Sequence, residues 1–285
     1  MRTIELVKGI HSSVLGFGCA PILGSVDSKR ARRSLELAFE HGINHLDLAR
    51  SYGYGEAEQF VGQVIKGRRD KVVLASKFGI VANWKAKLLG PIKPFVRLLR
   101  SNSPKKTPVT NKQIERVPTT IADRFHDRIP MRDEDMRRSL ERSLRALKTD
   151  YLDYFFVHEP PTSLLHVEEL LATAELLKSE GKIRGWGLAY MRSREDIHQQ
   201  YLNRFDVLQF DNSPGAVGYD SVVAKRGLLP NIIFSPLRGG ASDMKPDEKL
   251  QKLFTEFPNS VVLCSMFGEN HIISNAKVAN ATLKK

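Results

Sequence analysis

Short apolar runs alternate with amphipathic stretches along most of the chain, a pattern typical of buried strands joined by helices. The runs that predict strands are residues 14–20, 43–48, 71–76, 154–157, 183–188, 207–210, 232–235 and 261–264. A first helix is predicted after Asp27, with Ala31, Leu35 and Ala38 on one face. The other stretches that predict helices are residues 56–65, 133–148, 166–179, 193–202, 220–225, 247–254 and 270–281. A weak alternation around Gly9 predicts a small hairpin before the first strand.

The rhythm of these elements predicts a (β/α)8 barrel, because eight strands alternate with helices over a chain of 285 residues. A doubly wound sheet is the competing fold. It would place a glycine fingerprint after its first strand, but the segment at Gly16 and Gly18 lacks the third glycine, and Pro21 interrupts the helix start. We therefore expect one α/β domain over residues 1–285, with an insertion at about residues 78–132.

The composition of the chain indicates which broad class of protein it is. The chain is 41% hydrophobic, enough for a large core, and no apolar run approaches the roughly 18 residues that span a membrane. The first residues are charged and broken by a glycine, unlike a signal peptide. Cys19 and Cys264 lie in separate apolar runs and belong to no ligand-spaced cluster. These features favour a cytoplasmic protein with buried thiols and no metal site.

Polar residues stand at the ends of three successive predicted strands. Asp47, Lys77 and His158 hold these positions, and Tyr52 follows Asp47 in a turn that contains Gly53 and Gly55. In a barrel these strand ends share one rim, where active sites lie. Each residue taken alone also has an ordinary structural explanation. Asp47 can cap a turn, Lys77 can be solvated and His158 can be a buried, hydrogen-bonded histidine. Their occurrence together at successive strand ends favours an active site.

The four side chains suit proton transfer at a carbonyl or alcohol oxygen. We expect Asp47 to pair with Lys77, and the Lys77 ammonium to lower the pKa of the Tyr52 phenol. His158 can hydrogen-bond a substrate oxygen, so that a proton donor stands beside an oxyanion-binding group.

These segments resemble the aldo-keto reductases over most of the chain. The similarity rests on GINHLDLARSYGYGEAE, VLASKFG, SLERSLRALKTDYLDYFFVHEP, GKIRGWG, FDVLQFDNSP and IIFSPL. It implies that Asp47, Tyr52, Lys77 and His158 are the catalytic tetrad, with Tyr52 as general acid in carbonyl reduction.

The resemblance also implies a nicotinamide cofactor. Gln209 matches the residue that holds the nicotinamide amide, Phe234 the aromatic that stacks on its ring, and Ser235 and Leu237 the residues along the pyrophosphate. Ser265 and His271 align with residues near the adenosine 2′-phosphate, and Asn275 with the position near the adenine. We expect NADP(H) to be preferred over NAD(H).

Two departures from the family pattern affect the cofactor contacts. The family usually carries Ser-Asn after the fifth barrel strand, where this chain has Ala189 and Tyr190. Near the 2′-phosphate it usually carries Lys, Ser and Arg, where this chain has Ser265, Met266 and His271.

The insertion carries much of the net charge of +12. Residues 84–116 mix cationic with bulky apolar side chains and contain one acid, Glu115. Two interpretations stay open: a lid packed on the barrel with its lysines in water, or a segment that binds an anionic partner or a membrane surface. No nucleic-acid-binding module surrounds the segment, so nucleic acid is not expected as a partner.

Two functions are consistent with these observations. The first is an NAD(P)(H)-dependent oxidoreductase that reduces an aldehyde or ketone, or oxidises the corresponding alcohol. The alternative is a cofactor-binding sensor, or a protein that docks on a partner or membrane, built on the same barrel with weak or vestigial activity.

Overall fold

The computed structural model describes residues 1–88 and 124–282, and at residues 87 and 88 it describes the backbone alone. The predicted contacts of the insertion between residues 89 and 123 lie outside the described residues. Within the described part, no helix is both long and apolar enough to cross a membrane.

Eight parallel strands form a closed barrel, as the alternation predicted. The strands within the described residues are β1 Thr3–Val7, β2 Ile10–Ser13, β3 Leu15–Gly18, β4 His45–Asp47, β5 Val73–Phe78, β6 Ile80–Ala82, β7 His126–Arg128, β8 Leu152–His158, β9 Ile183–Tyr190, β10 Val207–Asp211, β11 Asn231–Phe234 and β12 Val261–Cys264. The barrel follows the chain in the order β3, β4, β5, β8, β9, β10, β11 and β12, and β12 pairs with β3 to close it.

Helices cover the outside of the barrel. They are α1 Ser28–Glu40, α2 Ala57–Val64, α3 Trp84–Leu88, α4 Asp133–Leu147, α5 Val167–Ser179, α6 Glu195–His198, α7 Tyr219–Arg226, α8 Pro246–Glu256 and α9 Glu269–Ala281. Asp27 caps α1 by accepting a hydrogen bond from the backbone of Arg30. The predicted helix at residues 193–202 is instead a short α-helix between two 3₁₀ turns, Arg192–Arg194 and Gln199–Arg204.

Two apolar layers hold the barrel together because successive residues of a strand face opposite sides. The inner layer fills the barrel with residues such as Val73, Tyr154 and Ile232. The outer layer, which includes Leu74, Phe155 and Ile233, packs against the helices. The predicted N-terminal hairpin is present as β1 and β2, and its Leu6 and Ile10 belong to the inner layer. The hairpin covers one end of the barrel, and the candidate active site lies at the other end.

Both ends of the insertion form regular structure. β6 directly follows β5 and pairs antiparallel with β7 near the end of the insertion, and α3 follows β6. Asn83 ties the two ends together by donating from its side-chain amide to the backbone oxygen of Arg124 at 3.1 Å. Trp84, the first residue of α3, is 65% exposed. The sequence predicted an insertion at about residues 78–132 but none of the strands and the helix at its two ends.

Candidate active site

The tyrosine turn is built by glycines. Gly53 and Gly55 have φ angles of 59° and 89°, which side-chain-bearing residues rarely adopt. A Cβ on Gly53 would lie 2.6 Å from the backbone oxygen of Ile22. The turn starts with Tyr52, whose backbone N–H donates to the oxygen of Ala49. The glycines therefore let the turn pack tightly on the rim and fix where Tyr52 stands.

Asp47, Lys77, His158 and Tyr52 meet at the C-terminal rim of the barrel. Lys77 Nζ donates to Asp47 Oδ2 at 2.7 Å and to the backbone oxygen of Leu48 at 2.8 Å. The same ammonium lies 3.5 Å from the phenol oxygen of Tyr52. The rings of Tyr52 and His158 meet edge to face, with centroids 6.1 Å apart. Both members of the ion pair are buried, so its charges are shielded from solvent.

The Tyr52 phenol is harder to ionise than the sequence analysis predicted. Its pKa is raised well above the ordinary value of 10, first because burial penalises the phenolate and then because the Asp47 and Glu159 carboxylates repel it. The prediction of a lowered pKa is wrong because burial penalises the phenolate more than the nearby Lys77 ammonium, which pairs with Asp47, can favour it. At neutral pH Tyr52 therefore carries its proton and can donate it.

His158 is neutral over the same pH range. Its pKa is lowered well below 6.5, chiefly by burial and then by repulsion from Lys77 and Arg128. A neutral imidazole has one N–H donor and one acceptor nitrogen. It can therefore donate a hydrogen bond to a carbonyl oxygen without placing a second full positive charge beside Lys77.

A buried carboxylate supports the tyrosine turn from behind. Glu58 on α2 is 1% exposed; it pairs with Arg50 and accepts a hydrogen bond from the Ser76 hydroxyl at 2.7 Å. Ser76 precedes Lys77 on β5, so one carboxylate ties together the turn, the helix and the lysine strand. The sequence analysis missed this cluster, although the spacing between Arg50 and Glu58 across the turn was visible.

A cavity of about 490 Å³ opens at this rim. Its lining includes every predicted site residue: Asp47, Tyr52, Lys77, His158, Gln209, Phe234, Ser235, Leu237, Ser265, His271 and Asn275. Residues that the sequence analysis did not predict also line it, among them Ala20, Glu159, Pro236 and Arg238. Glu159 could have been suspected because it directly follows His158; it adopts a left-handed φ of 45°.

Gln209 connects the cavity to the ion pair. Its Nε2 donates to Asp47 Oδ1 at 2.9 Å, and its Oε1 is buried with no hydrogen-bond partner among the described residues. A buried amide oxygen without a partner is costly unless a ligand supplies a donor. A carboxamide such as that of nicotinamide fits this acceptor.

Neither residue at the family's Ser-Asn positions can replace that contact. Ala189 lines the cavity but offers only a methyl group. Tyr190, the next residue on β9, belongs to the outer apolar layer and packs on Phe210 at 6.1 Å between ring centroids. Gln209 therefore has no help from these two positions in binding a ligand carboxamide.

The far end of the cavity is less polar than a usual phosphate site. The Ser265 hydroxyl donates to the backbone oxygen of Gly18 at 3.1 Å, and Met266 is 1% exposed. His271 and Arg238 are exposed and line the cavity, as does the buried Asn275. Arg238 can supply positive charge to a phosphate there, and the His271 imidazole can supply a hydrogen bond.

Comparison with known proteins agrees with the fold and the sequence motifs. The Aldo/keto reductase family model matches residues 14–214. An aldo-keto reductase from Bacillus subtilis, YhdN, is 30% identical over 187 residues, which is 64% of this chain and 44% of that protein. The NADH-specific methylglyoxal reductase of Escherichia coli is 28% identical over 191 residues, which is 65% of this chain and 49% of that enzyme.

Solved structures give the same fold. An aldo-keto reductase from Klebsiella pneumoniae, in complex with NADPH, superposes with a TM-score of 0.65 at 20% identity and covers 98% of this chain and 89% of its own.

The segment matched by the two curated relatives spans about half the length of each of them. Since the family model covers well over half of the sequence, this chain belongs to the aldo/keto reductase family.

Proposed function

We propose that this protein reduces an aldehyde or ketone to an alcohol with a nicotinamide cofactor, using Tyr52 as the proton donor. The observation that carries the proposal is the cluster of the protonated Tyr52 phenol, the Lys77–Asp47 ion pair and neutral His158 on one wall of a single cavity. A bound nicotinamide would supply the hydride, and the protein would supply position and a proton.

Each side chain has a role in that reduction. His158 and Tyr52 donate hydrogen bonds to the carbonyl oxygen and orient the substrate. As negative charge develops on that oxygen, its basicity rises and the Tyr52 proton moves to it. Lys77 then faces the phenolate at close range and stabilises it, which lowers the cost of proton transfer. Asp47 holds the lysine in place.

Gln209, Phe234, Ser235 and Leu237 would hold the nicotinamide and pyrophosphate, and Ser265, His271 and Asn275 the adenosine end. The support for Gln209 is its unpartnered buried Oε1, and the support for the others is that they line the same cavity. Arg238 joins this set as a cation near the phosphates.

We expect NADP(H) to bind better than NAD(H), by a small margin. Arg238 and His271 favour the extra phosphate, but the Ser265 hydroxyl donates to Gly18 and the Met266 thioether has no donor, so neither offers a free donor. Among similar proteins, one solved structure holds NADPH and one curated relative is NADH-specific, and both choices therefore occur in relatives.

A cofactor-oxidation screen tests this function. Purified protein is incubated with NADPH or NADH and a panel of aldehydes and ketones, and the loss of absorbance of the reduced cofactor is followed. The proposal expects turnover that depends on both protein and carbonyl compound. Tight cofactor binding without turnover on any compound would favour the alternative, a sensor on the same barrel. No cofactor binding would exclude both.

A further inference from the structure

A second cavity, of about 440 Å³, lies outside the barrel beside the C-terminal ends of β9 and β10. Successive residues of a strand face opposite sides of the barrel wall, so the same two strands line this cavity on one side and the first cavity on the other. Ala189 and Gln209 face the first cavity, while the residues that follow them, Tyr190 and Phe210, line the second. Helix α7 forms the opposite wall. The two cavities therefore share two strands but no lining residue.

Tyr190 places a hydroxyl at the base of this second cavity. The residue is 2% exposed, and its phenol has no hydrogen-bond partner among the residues that the structure describes. Its ring is fixed between Phe210 and His198, with centroids 6.1 and 5.9 Å away. Its oxygen is not among the fully buried atoms that lack a partner, so the hydroxyl reaches the cavity and can bond a ligand there.

Two arginines border the same space, and each is held by its Nε. Arg192 Nε donates to the backbone oxygen of Asp211 at 2.6 Å, and Arg226 Nε donates to Asn231 Oδ1 at 2.8 Å. Within the described part of the chain, the terminal N–H groups of both guanidinium groups have no acceptor. Anchored guanidinium groups with free terminal donors are suited to bind an oxyanion with little loss of side-chain freedom.

The charge balance of the cavity also favours an anion. Lys225 joins the two arginines as a third cation, against the carboxylates of Glu195 and Asp211. Glu195 lies 3.9 Å from Lys225, and Asp211 accepts a hydrogen bond from the backbone of Arg192 at 2.6 Å. One positive charge is left in excess among the residues that line the cavity.

We propose that this second cavity binds a phosphate group, either free phosphate or the phosphate of a small ester. The Tyr190 hydroxyl and the two guanidinium groups supply several donors to one cavity, as an anion with several acceptor oxygens requires. Phe210, Val217 and Val222 add apolar wall, against which the organic part of an ester would lie.

Calorimetric titration of the intact protein tests this site. The protein is first saturated with NADPH, so that the first cavity is filled, and is then titrated with inorganic phosphate and separately with phenyl phosphate. Sodium chloride is added so that every titration has the same ionic strength. Nonspecific charge effects are then screened equally in all of them. Tighter binding of phenyl phosphate identifies an ester as the ligand, and equal binding identifies free phosphate.

Three variants locate the binding. Arg226→Gln should weaken phosphate binding about tenfold or more, because it removes a charged hydrogen bond, and Tyr190→Phe should weaken it by about two- to tenfold. Arg194→Gln is the matched control. Arg194 is an exposed arginine of the same segment that bonds the backbone of Pro161 and does not line the cavity. Melting temperature and NADPH affinity report whether each variant is folded.

The outcomes separate this inference from the proposed function. No binding of either compound at millimolar concentration would overturn the second site, as would binding that all three variants retain equally. Binding that NADPH abolishes would place the phosphate in the first cavity and also overturn it. If the protein binds neither NADPH nor NADH, the proposed function fails, and the same variants still test the second cavity without cofactor.

Discussion

The side-chain amide of Gln209 donates a hydrogen bond to Oδ1 of Asp47 at 2.9 Å, while Oδ2 of the same carboxylate accepts one from Lys77 at 2.7 Å. Asp47 therefore contacts both the residue proposed to hold the nicotinamide and the residue that faces the Tyr52 phenol. The first bond also turns the Gln209 oxygen away from Asp47, where a ligand carboxamide can reach it.

Gln209→Leu should raise the dissociation constant for NADPH about tenfold, because the substitution removes the acceptor for the carboxamide and leaves Asp47 Oδ1 without its donor. Ala189→Ser should tighten binding a few-fold, because it adds a hydroxyl to the cavity wall. Fluorescence titration with NADPH measures both. Gln199→Leu, at an exposed glutamine, is the control. Equal affinity of Gln209→Leu and the unmodified protein would remove Gln209 from the cofactor site.

The Asp47–Lys77 pair should show the energetics of a buried ion pair. Lys77→Met leaves a buried carboxylate without its cation, and we expect the free energy of unfolding to fall by about 3 kcal/mol or more. Adding Asp47→Asn should restore part of that loss, because the unpaired charge disappears, without restoring carbonyl reduction. Urea denaturation of the single and double variants measures the stability. A double variant less stable than Lys77→Met would contradict this account.

The sequence predicted the barrel, most element positions and the residues at the strand ends, because strand periodicity and helix amphipathicity are local properties. It did not predict the direction of the Tyr52 pKa shift, since the burial of the phenol depends on the packing of the whole rim. Nor did it predict that Tyr190 faces outward, because a strand's register decides that. The Glu58 cluster and the second cavity join distant segments, and no local pattern marks them.

His45 should make the protein sensitive to acid. It lies inside the barrel, where Nδ1 contacts Ser12 Oγ at 3.1 Å and the buried Nε2 has no partner among the described residues. Burial and the Lys77 charge lower its pKa from 6.5 to about 3. Between these values the unfolded chain binds the proton and the folded protein does not, so the free energy of unfolding falls as pH falls from 6.5 toward 3.

Replacement of His45 should flatten that dependence. Between pH 6 and 4, one proton linked to unfolding corresponds to about 1.4 kcal/mol per pH unit, and His45→Gln should reduce the slope by about this amount. Urea denaturation across this range measures the slope. His11→Gln, at an exposed histidine, should leave it nearly unchanged. An unaltered slope in His45→Gln would show that His45 does not control acid stability.

Cofactor preference should depend on His271. Its imidazole lines the first cavity, where it can hydrogen-bond the 2′-phosphate of NADPH. His271→Ala should therefore lower the ratio of NADPH to NADH affinity by about two- to tenfold, as measured by fluorescence titration with each cofactor. His41→Ala, outside the cavity, is the control. An unchanged affinity ratio in His271→Ala would show that His271 does not contact the phosphate.

The most direct test of the account is the turnover of Tyr52→Phe, measured together with NADPH affinity on a carbonyl compound that the unmodified protein reduces. The substitution removes one hydroxyl and keeps the ring against His158. Turnover should fall by about 10²- to 10⁴-fold, the range of general acid catalysis, while the NADPH dissociation constant stays nearly unchanged. Tyr54→Phe, on the same turn, should retain turnover. Turnover by Tyr52→Phe within a few-fold of the unmodified protein would contradict the assignment of Tyr52 as the proton donor.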